Sequence, residues 1–510
     1  MVAQAVLPFQ YVEDPKSNGA TALGGLPVYM ELAVAAGLRQ SVARHVGLRG
    51  PGGQGWTDAE VVTATVLLNL AGGDAVEDFE ALEADDGFSL LMRRTEWHGL
   101  PRDERRALER RWRKSRDRAV PSPSAVFRYL EMFHDEEQEK LRVPHSAFIP
   151  KPKEALTGLS RVNADMVAFA QRVAPQEVAT LDMDATLVPT HKQKALHCYK
   201  GFRAYQPLNT WWAEHGLVLH SEFRDGNVPA GHEQLRVLQD ALACLPGDVK
   251  KVRLRSDTAA YQVELLQYLA KGTHERFGAI EFAISADVTQ EFRKAVSEVP
   301  VSAWNKLQRP DGQGADPSGH EWAEVVFVPN WAGHSKNGPA YRFIAVREPL
   351  QAPLPGVEAA QRLLPFPVMD FGKNGPHKLF GIVTNRNISG DELIHWQRAR
   401  CGKSEEAHAI MKSDLAGGQL PSGKFGANAA WWAMMVLAFN LNAIMRKHAL
   451  GGQWAERRMK RLRLGFIGLA GWVVDHARQL QVRLSAGHPA LRWLARARRT
   501  VLSWLQVSNT

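Results

Sequence analysis

Three acidic positions, far apart in the chain, have the residue types and surroundings of a metal-ion site. The first is a pair: apolar residues alternate with Asp182 and Asp184 in the run 179–189, so a strand there aims both carboxylates out of one face. Two like charges on one strand repel each other, and a bound cation would compensate them. A pair of solvated acids at a sheet edge is the simpler alternative.

The second position is Asp257. An apolar alternation over 249–254 predicts a strand, and residues 259–270 have helical spacing, so Asp257 lies between a strand end and a helix start. Ligand sites of α/β sheets favour that edge. Asp is also a common helix N-cap, which would explain the residue without any chemistry.

The third position is Glu405, in a predicted helix over 403–412. Glu405, His408 and Lys412 recur at i, i+3 and i+7, which places an acid, an imidazole and an ammonium on one helix face. A solvated charged face explains this pattern equally well by itself. The order of strand acid, strand-end acid and helix glutamate favours one shared site.

Carboxylates grouped in this way indicate phosphodiester chemistry. Two Mg²⁺ ions about 4 Å apart can activate an attacking oxygen and stabilise the leaving one. Carboxylate oxygens are the ligands that such hard cations prefer. We therefore expect a site that cuts and joins phosphodiester bonds with two Mg²⁺ ions, for which Mn²⁺ can substitute.

The segments between the acids predict an α/β fold. Two β-rich runs, 205–212 and 217–223, flank a polar turn and predict a hairpin, whereas 231–245 has helical spacing and 279–285 predicts a further strand. The order β-β-β-α-β-α-β, closed by an acidic helix, matches the ribonuclease H-like core with its mixed sheet.

Glu405 follows Asp257 at a greater distance than that core requires, so we expect a mostly β insertion domain. Strand-like runs at 324–328, 341–347 and 378–384 fit it. The predicted domains are a helical N-terminal DNA-binding region (1–135), a linker (136–174), the first part of the core (175–287), the insertion (288–390), the second part of the core with the Glu405 helix (391–448) and a basic helical C-terminal region (449–510).

Composition favours a polyanionic partner. The chain has 510 residues, 45% of them hydrophobic, and a net charge of +9, which fits folded domains that bind nucleic acid. Residues 93–118 hold eleven Lys and Arg against five Asp and Glu, and such clusters neutralise phosphates. The predicted DNA contacts there are Arg110, Arg111, Arg113 and Lys114. A solvated helix face is the alternative for this stretch.

The cysteines, the N-terminal residues and one apolar run indicate the cellular compartment. Cys198, Cys244 and Cys401 are far apart and match no zinc spacing, which indicates a reducing compartment. The chain opens without a secretory signal pattern. The apolar run 429–445 contains two Asn and is too short for a membrane span, so we expect a buried core helix there and no membrane partner.

Several short motifs occur together in this chain: Leu181-Asp182-Met183-Asp184-Ala185-Thr186, Tyr199-Lys200-Gly201, Tyr205-Gln206-Pro207-Leu208, Arg255-Ser256-Asp257, Cys401-Gly402-Lys403-Ser404-Glu405 and Leu420-Pro421-Ser422-Gly423. Jointly they resemble the DDE transposases of bacterial insertion sequences, and among these the insertion-sequence 1380 family, over about residues 10–480. The resemblance implies cut-and-paste transposition of an element with terminal inverted repeats. It also implies double-stranded DNA partners (transposon ends and target), a homodimer in the synaptic complex and a bacterial, cytoplasmic, nucleoid-associated location.

Carried over by position, the resemblance makes Asp184, Asp257 and Glu405 the catalytic, metal-binding triad. Asp184 is preferred because the related pattern places the acid two residues before a Thr, here Thr186, while Asp182 could assist as a further metal ligand.

The related insertion-sequence 4 group has a Tyr, Arg, Glu, Lys signature around the last acid. This chain keeps Glu405 and Lys412, and Lys412 and His408 are predicted DNA contacts. Cys401 and Arg398 stand at the expected Arg and Tyr positions, so Arg398 or Arg400, which are also predicted DNA contacts, or Trp396, could compensate by shifted spacing.

Two further expectations remain open. Trp304, Trp322 and Trp331 are candidates to stack on a flipped base, although each is more often a core residue. The competing functions are a ribonuclease H-like nuclease or resolvase without strand transfer, and a non-catalytic, DNA-binding transposase relic.

Overall fold

The computed structural model describes residues 19–50, 55–97, 102–103, 106, 118–143, 146–329, 341–350, 366–476 and 479–507. The chain divides into two compact units. The helical unit comprises Met1–His134, Asp414–Ser422 and Gly426–Thr510, and the sheet unit comprises Asp135–Ser413 and Gly423–Phe425.

The first part of the helical unit is mostly helical. Its elements are β1 (Ala20–Thr21), α1 (Leu26–Ala35), α2 (Leu38–His45), α3 (Asp58–Ala71), α4 (Phe79–Glu83), α5 (Asp86–Trp97) and α6 (Pro123–Glu131). Thr57 and Glu60 form a capping box at the start of α3, and the Ser122 hydroxyl caps α6. The predicted phosphate contacts Arg110, Arg111, Arg113 and Lys114 lie outside the described residues.

The sheet unit is built on one mixed sheet with helices. Its strands are β2 (Val178–Ala185), β3 (Val188–Pro189), β4 (Ala204–Tyr205), β5 (Leu208–Trp212), β6 (Leu217–Glu222), β7 (Lys251–Ser256), β8 (Glu281–Ala286), β9 (Asn305–Lys306), β10 (Glu321–Val325), β11 (Arg342–Pro349), β12 (Val368–Asp370) and β13 (Pro376–Thr384). Its helices are α7 (Glu136–Lys140), α8 (Glu154–Val173), α9 (Gln234–Ala243), α10 (Val263–Lys271), α11 (Gln290–Ser297), α12 (Gly390–Arg398) and α13 (Lys403–Ala409). A π-helical turn, Ile410–Asp414, follows α13.

The sheet order is β6-β5-β2-β7-β8-β13-β11-β10-β9, with β12 beside β13, while β3 and β4 form a separate pair. β2 is central to the first five strands: it runs antiparallel to β5 and parallel to β7, and β7 runs parallel to β8. The predicted hairpin is confirmed as β5 and β6. Parallel strands end at the same edge of a sheet, so β2 and β7 deliver their last residues to one place.

The predicted insertion differs from the structure. Its described strands do not form a separate sheet, because β13 pairs antiparallel with β8 and β11, β10 and β9 continue from it. The apolar β13 covers the outer edge of β8, which would otherwise expose unpaired backbone groups. A core of buried residues, including Ala283, Ile344 and Leu393, joins these strands to α12.

The predicted linker 136–174 is wrong, since most of it is helical. α8 spans twenty residues, and its apolar positions, among them Leu159, Val162 and Met166, are buried. The Asn163 amide donates to the carbonyls of Val218 and Leu219, at 3.1 Å each. The apolar period of this segment predicts a docked helix and not a spacer.

The last predicted boundaries also shift. α14 (Phe425–Ile444) belongs almost entirely to the helical unit and not to the second part of the core. That unit also contains α15 (Met459–Leu462), β14 (Gly471–His476), β15 (Gln479–Arg483) and α16 (Ala490–Val507), so the N-terminal region and the C-terminal region share one compact unit. The buried core helix expected at 429–445 is confirmed: Asn440 and Asn442 are buried, and Asn442 accepts a hydrogen bond from the Tyr29 hydroxyl at 2.8 Å.

No single helix of the described residues is long and apolar enough to cross a membrane, although Asp58–Ala71 and Val76–Glu83, bent by 95°, pass that test as a pair.

The docking of α8 on β6 gives the first prediction. Asn163→Ala removes a donor from two strand carbonyls, and we expect the free energy of unfolding to fall by about 1–3 kcal/mol. Arg161→Ala is the control on the same helix, since its ion pair with Glu154 is exposed and such pairs contribute about 0–1 kcal/mol. Equilibrium urea unfolding measures both, and equal effects would contradict the docking.

Candidate active site

Asp184 and Asp257 end two neighbouring parallel strands. Asp184 is the penultimate residue of β2, and Asp257 directly follows β7. In the register of this pair, Met183 lies opposite Ser256, so the next positions bring the two acids side by side. Asp257 Oδ1 also accepts the Ala259 N–H at 3.0 Å. The N-cap interpretation is therefore correct for one oxygen of Asp257 and compatible with a role at the sheet edge.

Glu405 lies in the first turn of α13. Its Oε2 accepts a hydrogen bond from the Gly402 N–H at 2.6 Å, so the carboxylate caps its own helix. Gly402 has φ +76°, a conformation that favours glycine. The helix start thus fixes the position of Glu405.

Electrostatics connects the three acids. The pKa of Asp184 is raised to about 7, mainly by burial and next by the charge of Asp257. Glu405 raises it further, whereas the Arg400 guanidinium lowers it. The two acids that perturb Asp184 are those nominated from the sequence. We call Asp184, Asp257 and Glu405 the acid site.

The donor chemistry of the acid site fits a hard divalent cation. It offers carboxylate oxygens that repel each other, and a cation would relieve this repulsion. The residue types fit a metal ion, but their positions do not form a site. Within the described ranges, no three His, Cys, Asp or Glu side chains are close enough to hold a metal ion together. Glu405 is instead engaged with Gly402.

Asp182 has a different role from the one predicted. Both of its oxygens are taken by Arg255, whose Nε and Nη2 donate to Oδ1 and Oδ2 at 2.7 Å. Arg255 also donates to the Trp396 carbonyl at 2.8 Å, and both charged side chains are buried. A carboxylate held in this bidentate way is already neutralised by a guanidinium, which makes it a poor candidate for a metal ligand. The structure therefore argues against Asp182 as a ligand and makes it a clamp between β2 and β7.

The two arginines proposed as DNA contacts lie in different surroundings. Arg400 is buried, its charge reaches Asp182 and Asp184, and its Nε has no hydrogen-bond partner among the described residues. Arg398 is half-buried, and the charges that act on it include Asp316 and Glu348. Arg400 thus lies next to the acid site, whereas Arg398 lies toward the strands beyond β8.

His408 is wrong as a DNA contact. It is buried against Trp211, with ring centroids 4.7 Å apart, and its Nε2 lies 3.4 Å from the Asn209 amide nitrogen. Burial, and next the charge of Lys412, lowers its pKa to about 3. A buried, neutral imidazole has no charge with which to attract a phosphate. On the helix face that carries Glu405, His408 and Lys412, His408 packs against β5, while Glu405 is exposed.

Lys412 lies in the π-helical turn after α13. It is half-buried, which lowers its pKa, and its Nζ donates to the Leu187 carbonyl at 3.1 Å. Leu187 follows Asp184 by three residues, so the ammonium lies against the chain segment that leaves the acid site.

The two tryptophan candidates that lie in the described residues, Trp304 and Trp322, pack against other side chains. Trp322 packs in the core beyond β8, and its Nε1 donates to Asp391 Oδ1 at 3.0 Å. Trp304 lies against the Arg347 guanidinium, 4.1 Å from its ring centroid. Trp331 lies outside the described residues.

Two contributors were missed from the sequence. Arg255 stands two residues before Asp257 and therefore shares its face of β7, a spacing that could have revealed a partner for Asp182. Asn209 lies opposite Asp184 on β5, is fully buried and accepts from the Ser221 hydroxyl at 2.6 Å. Nothing in the local pattern of β5 indicates that contact.

Comparison with known proteins identifies the family. The model of the transposase DDE domain, group 1, matches residues 17–504, so the chain belongs to this family of DDE transposase domains. A search of the curated proteins finds no match. Among solved structures, the chain is similar to the piggyBac transposase in a cryo-EM synaptic complex with hairpin DNA, with 9% identity, a TM-score of 0.42 and coverage of 88% of this chain and 82% of that chain.

The raised pKa of Asp184 gives a prediction for the metal-free protein. A carboxyl whose pKa rises from 3.8 to about 7 on folding contributes stability that is present below pH 3.8 and is lost as the pH rises through 7. Asp184→Asn removes this penalty. In EDTA its melting temperature should exceed that of the wild type by a margin that grows from pH 4 to pH 7 and is then constant.

Glu264→Gln, an exposed carboxylate on α10, is the matched control and should show no such trend. A constant difference between Asp184→Asn and the wild type across this range would contradict the acid crowding.

The Asp182–Arg255 clamp gives a separate prediction. Arg255→Met leaves a buried carboxylate unpaired, and we expect a loss of about 3–5 kcal/mol in the free energy of unfolding. The double variant Asp182→Leu/Arg255→Met removes both charges and should recover most of the loss. Urea unfolding of the single and double variants tests this, and an additive double variant would show that the pair is not coupled.

Proposed function

We propose that this protein is a metal-dependent DDE transposase that cleaves DNA at the terminal inverted repeats of an insertion sequence and joins the ends to a target. The match to the family model supports the assignment of a transposase DDE domain. The observation that supports catalysis is the acid site: the pKa of Asp184 is raised by burial and then by the charges of Asp257 and Glu405, the acids that the mechanism requires.

The strand order supports a ribonuclease H-like core. Five strands of the main sheet lie in the order β6-β5-β2-β7-β8, with β6, β5 and β2 antiparallel and β2, β7 and β8 parallel. In such a core a strand acid, a strand-end acid and a later helix glutamate lie around one sheet edge, and the register of β2 and β7 supports this for Asp184 and Asp257.

Asp184, Asp257 and Glu405 would hold two Mg²⁺ ions, or Mn²⁺ in their place. When bound, these ions activate the attacking oxygen and stabilise the leaving oxygen of the phosphodiester. Asp184 must release its proton to act as a ligand, so metal affinity should fall below about pH 7. Glu405 must turn its Oε2 from the Gly402 N–H.

The cationic residues have separate tasks in this proposal. Arg400 partly neutralises Asp184 before substrate arrives, which keeps the acids together. Lys412 can exchange the Leu187 carbonyl for a phosphate oxygen, an interaction that suits an ammonium as a point charge. The buried Asp182–Arg255 pair keeps β2 and β7 in register.

The finer assignment rests on the sequence motifs. We propose membership in the insertion-sequence 1380 group, a bacterial cytoplasmic setting on the nucleoid, double-stranded transposon ends and target DNA as partners, and a homodimer that pairs two ends. Arg110, Arg111, Arg113 and Lys114 remain proposed phosphate contacts because of their charge density.

Conservative substitutions in the acid site test the mechanism. Asp184→Asn, Asp257→Asn and Glu405→Gln should each lower cleavage of a plasmid that carries the reading frame with its flanking DNA by roughly 100-fold or more, since even outer-shell changes at metal sites cost about 10–100-fold. DNA affinity should remain within about threefold. Glu406→Gln, next to Glu405, is the control and should retain activity.

A strand-transfer assay separates the competing functions. The wild type is given Mg²⁺, a donor end with a free 3′-hydroxyl and a target plasmid. Joined products are expected. Cuts without joining would indicate a nuclease or resolvase, and binding without cuts, unaffected by Asp257→Asn, would indicate a non-catalytic relic.

A further inference from the structure

A basic loop connects β3 to β4 beside the acid site. We call residues 190–203 the 190–203 loop. It contains Lys192, Lys194, Lys200 and Arg203, two histidines and no Asp or Glu. The formal charge of the loop is therefore positive, which favours the binding of a polyanion.

The loop has a defined internal structure. The Arg203 Nη1 donates to the carbonyls of Gln193 and Ala195, at 2.6 and 2.7 Å. The Cys198 N–H donates to the Phe202 carbonyl at 2.9 Å, and Ala195 and Cys198 are buried. The loop is thus held by its own backbone and by buried anchors, so its tip is presented in one conformation.

The tip exposes aromatic surface. Tyr199 is 78% exposed, the largest exposure of any aromatic residue among the described large hydrophobic side chains, and Phe202 is 37% exposed. The Lys200 ammonium lies 5.7 Å from the centroid of the Tyr199 ring. An aromatic ring with a cation beside it and no packing role is the combination that binds a base together with its phosphate.

The two ends of the loop adjoin the acid site. The chain enters it from β3, a few residues after Asp184, and leaves it through β4 toward β5, where Asn209 lies opposite Asp184. β3 and β4 are antiparallel, with Val188 opposite Tyr205. The loop therefore projects from the short pair β3 and β4, which follows β2 with Asp184 and precedes β5 with Asn209.

We propose that the 190–203 loop binds an unpaired DNA end next to the acid site, with Tyr199 stacked on an exposed base and Lys194 and Lys200 on the backbone phosphates. This rests on the proposed function for the choice of DNA as the partner. Base–aromatic stacking needs an unpaired base, so a frayed or forked end is the ligand that the exposed ring selects.

The probes are two DNA duplexes of equal length and arbitrary sequence, one blunt and one forked, with 2-aminopurine in the unpaired arm. The wild type should bind the forked probe roughly tenfold more tightly and quench the 2-aminopurine fluorescence, as expected for one stacked base. Tyr199→Ala should lose the preference and the quenching, whereas Tyr199→Phe should keep both.

Lys194→Ala and Lys200→Ala should weaken binding of both probes and each reduce the slope of log K against log salt by about 1. Lys271→Ala is the matched control, because Lys271 ends α10 just before β8 and so lies toward the opposite sheet edge from Asp257. It should leave both probes unaffected.

Equal binding of the two probes by the wild type, or an unchanged Tyr199→Ala, overturns the inference. The outcome is distinguishable from a failure of the proposed function. If the protein cleaves the plasmid but Tyr199→Ala has no effect on DNA binding, only the proposed role of the loop is wrong. If the forked probe is preferred and this preference depends on Tyr199, but the protein never cleaves, only the proposed transposase activity is wrong. Melting temperatures confirm that the variants fold.

Discussion

The sheet unit depends on holding carboxylates together against their own repulsion. Asp184 is half-buried beside Asp257 and within the field of Glu405, and its pKa is raised to about 7 by desolvation and by these two charges. Folding must offset that unfavourable proximity with other contacts. The bidentate Asp182–Arg255 pair joins β2 to β7 two residues before the acids, and the hydrogen bond from the Ser256 hydroxyl to the Met183 carbonyl joins them one residue before. These contacts hold the two strand ends together and so keep Asp184 next to Asp257.

The surroundings of the acid site carry charge partners of their own. The Gly402 N–H donates to Glu405, Arg400 supplies one buried positive charge, and the Lys412 ammonium donates to the Leu187 carbonyl. In the proposed function, a metal ion or a phosphate replaces the contacts of Glu405 and Lys412.

The sequence predicts local features well and non-local partners poorly. Alternation around Asp182 and Asp184 predicts β2, and the turn before Leu217 predicts the hairpin, because both depend on neighbouring residues. The pairing of Asp182 with Arg255, the burial of His408 against Trp211 and the attachment of β13 to β8 depend on the sheet order. Spacing along one helix could not distinguish a packing face from a solvated one. The segment 136–174, predicted as a linker, contains the docked helix α8.

The position of bound Mn²⁺ in crystals, located by its anomalous scattering, tests the account most directly. We expect anomalous electron density between the carboxylates of Asp184, Asp257 and Glu405. In that state Glu405 no longer accepts the Gly402 N–H, and Asp182 remains paired with Arg255. Mn²⁺ bound to Asp182, or bound elsewhere while Glu405 keeps its hydrogen bond to Gly402, would contradict it.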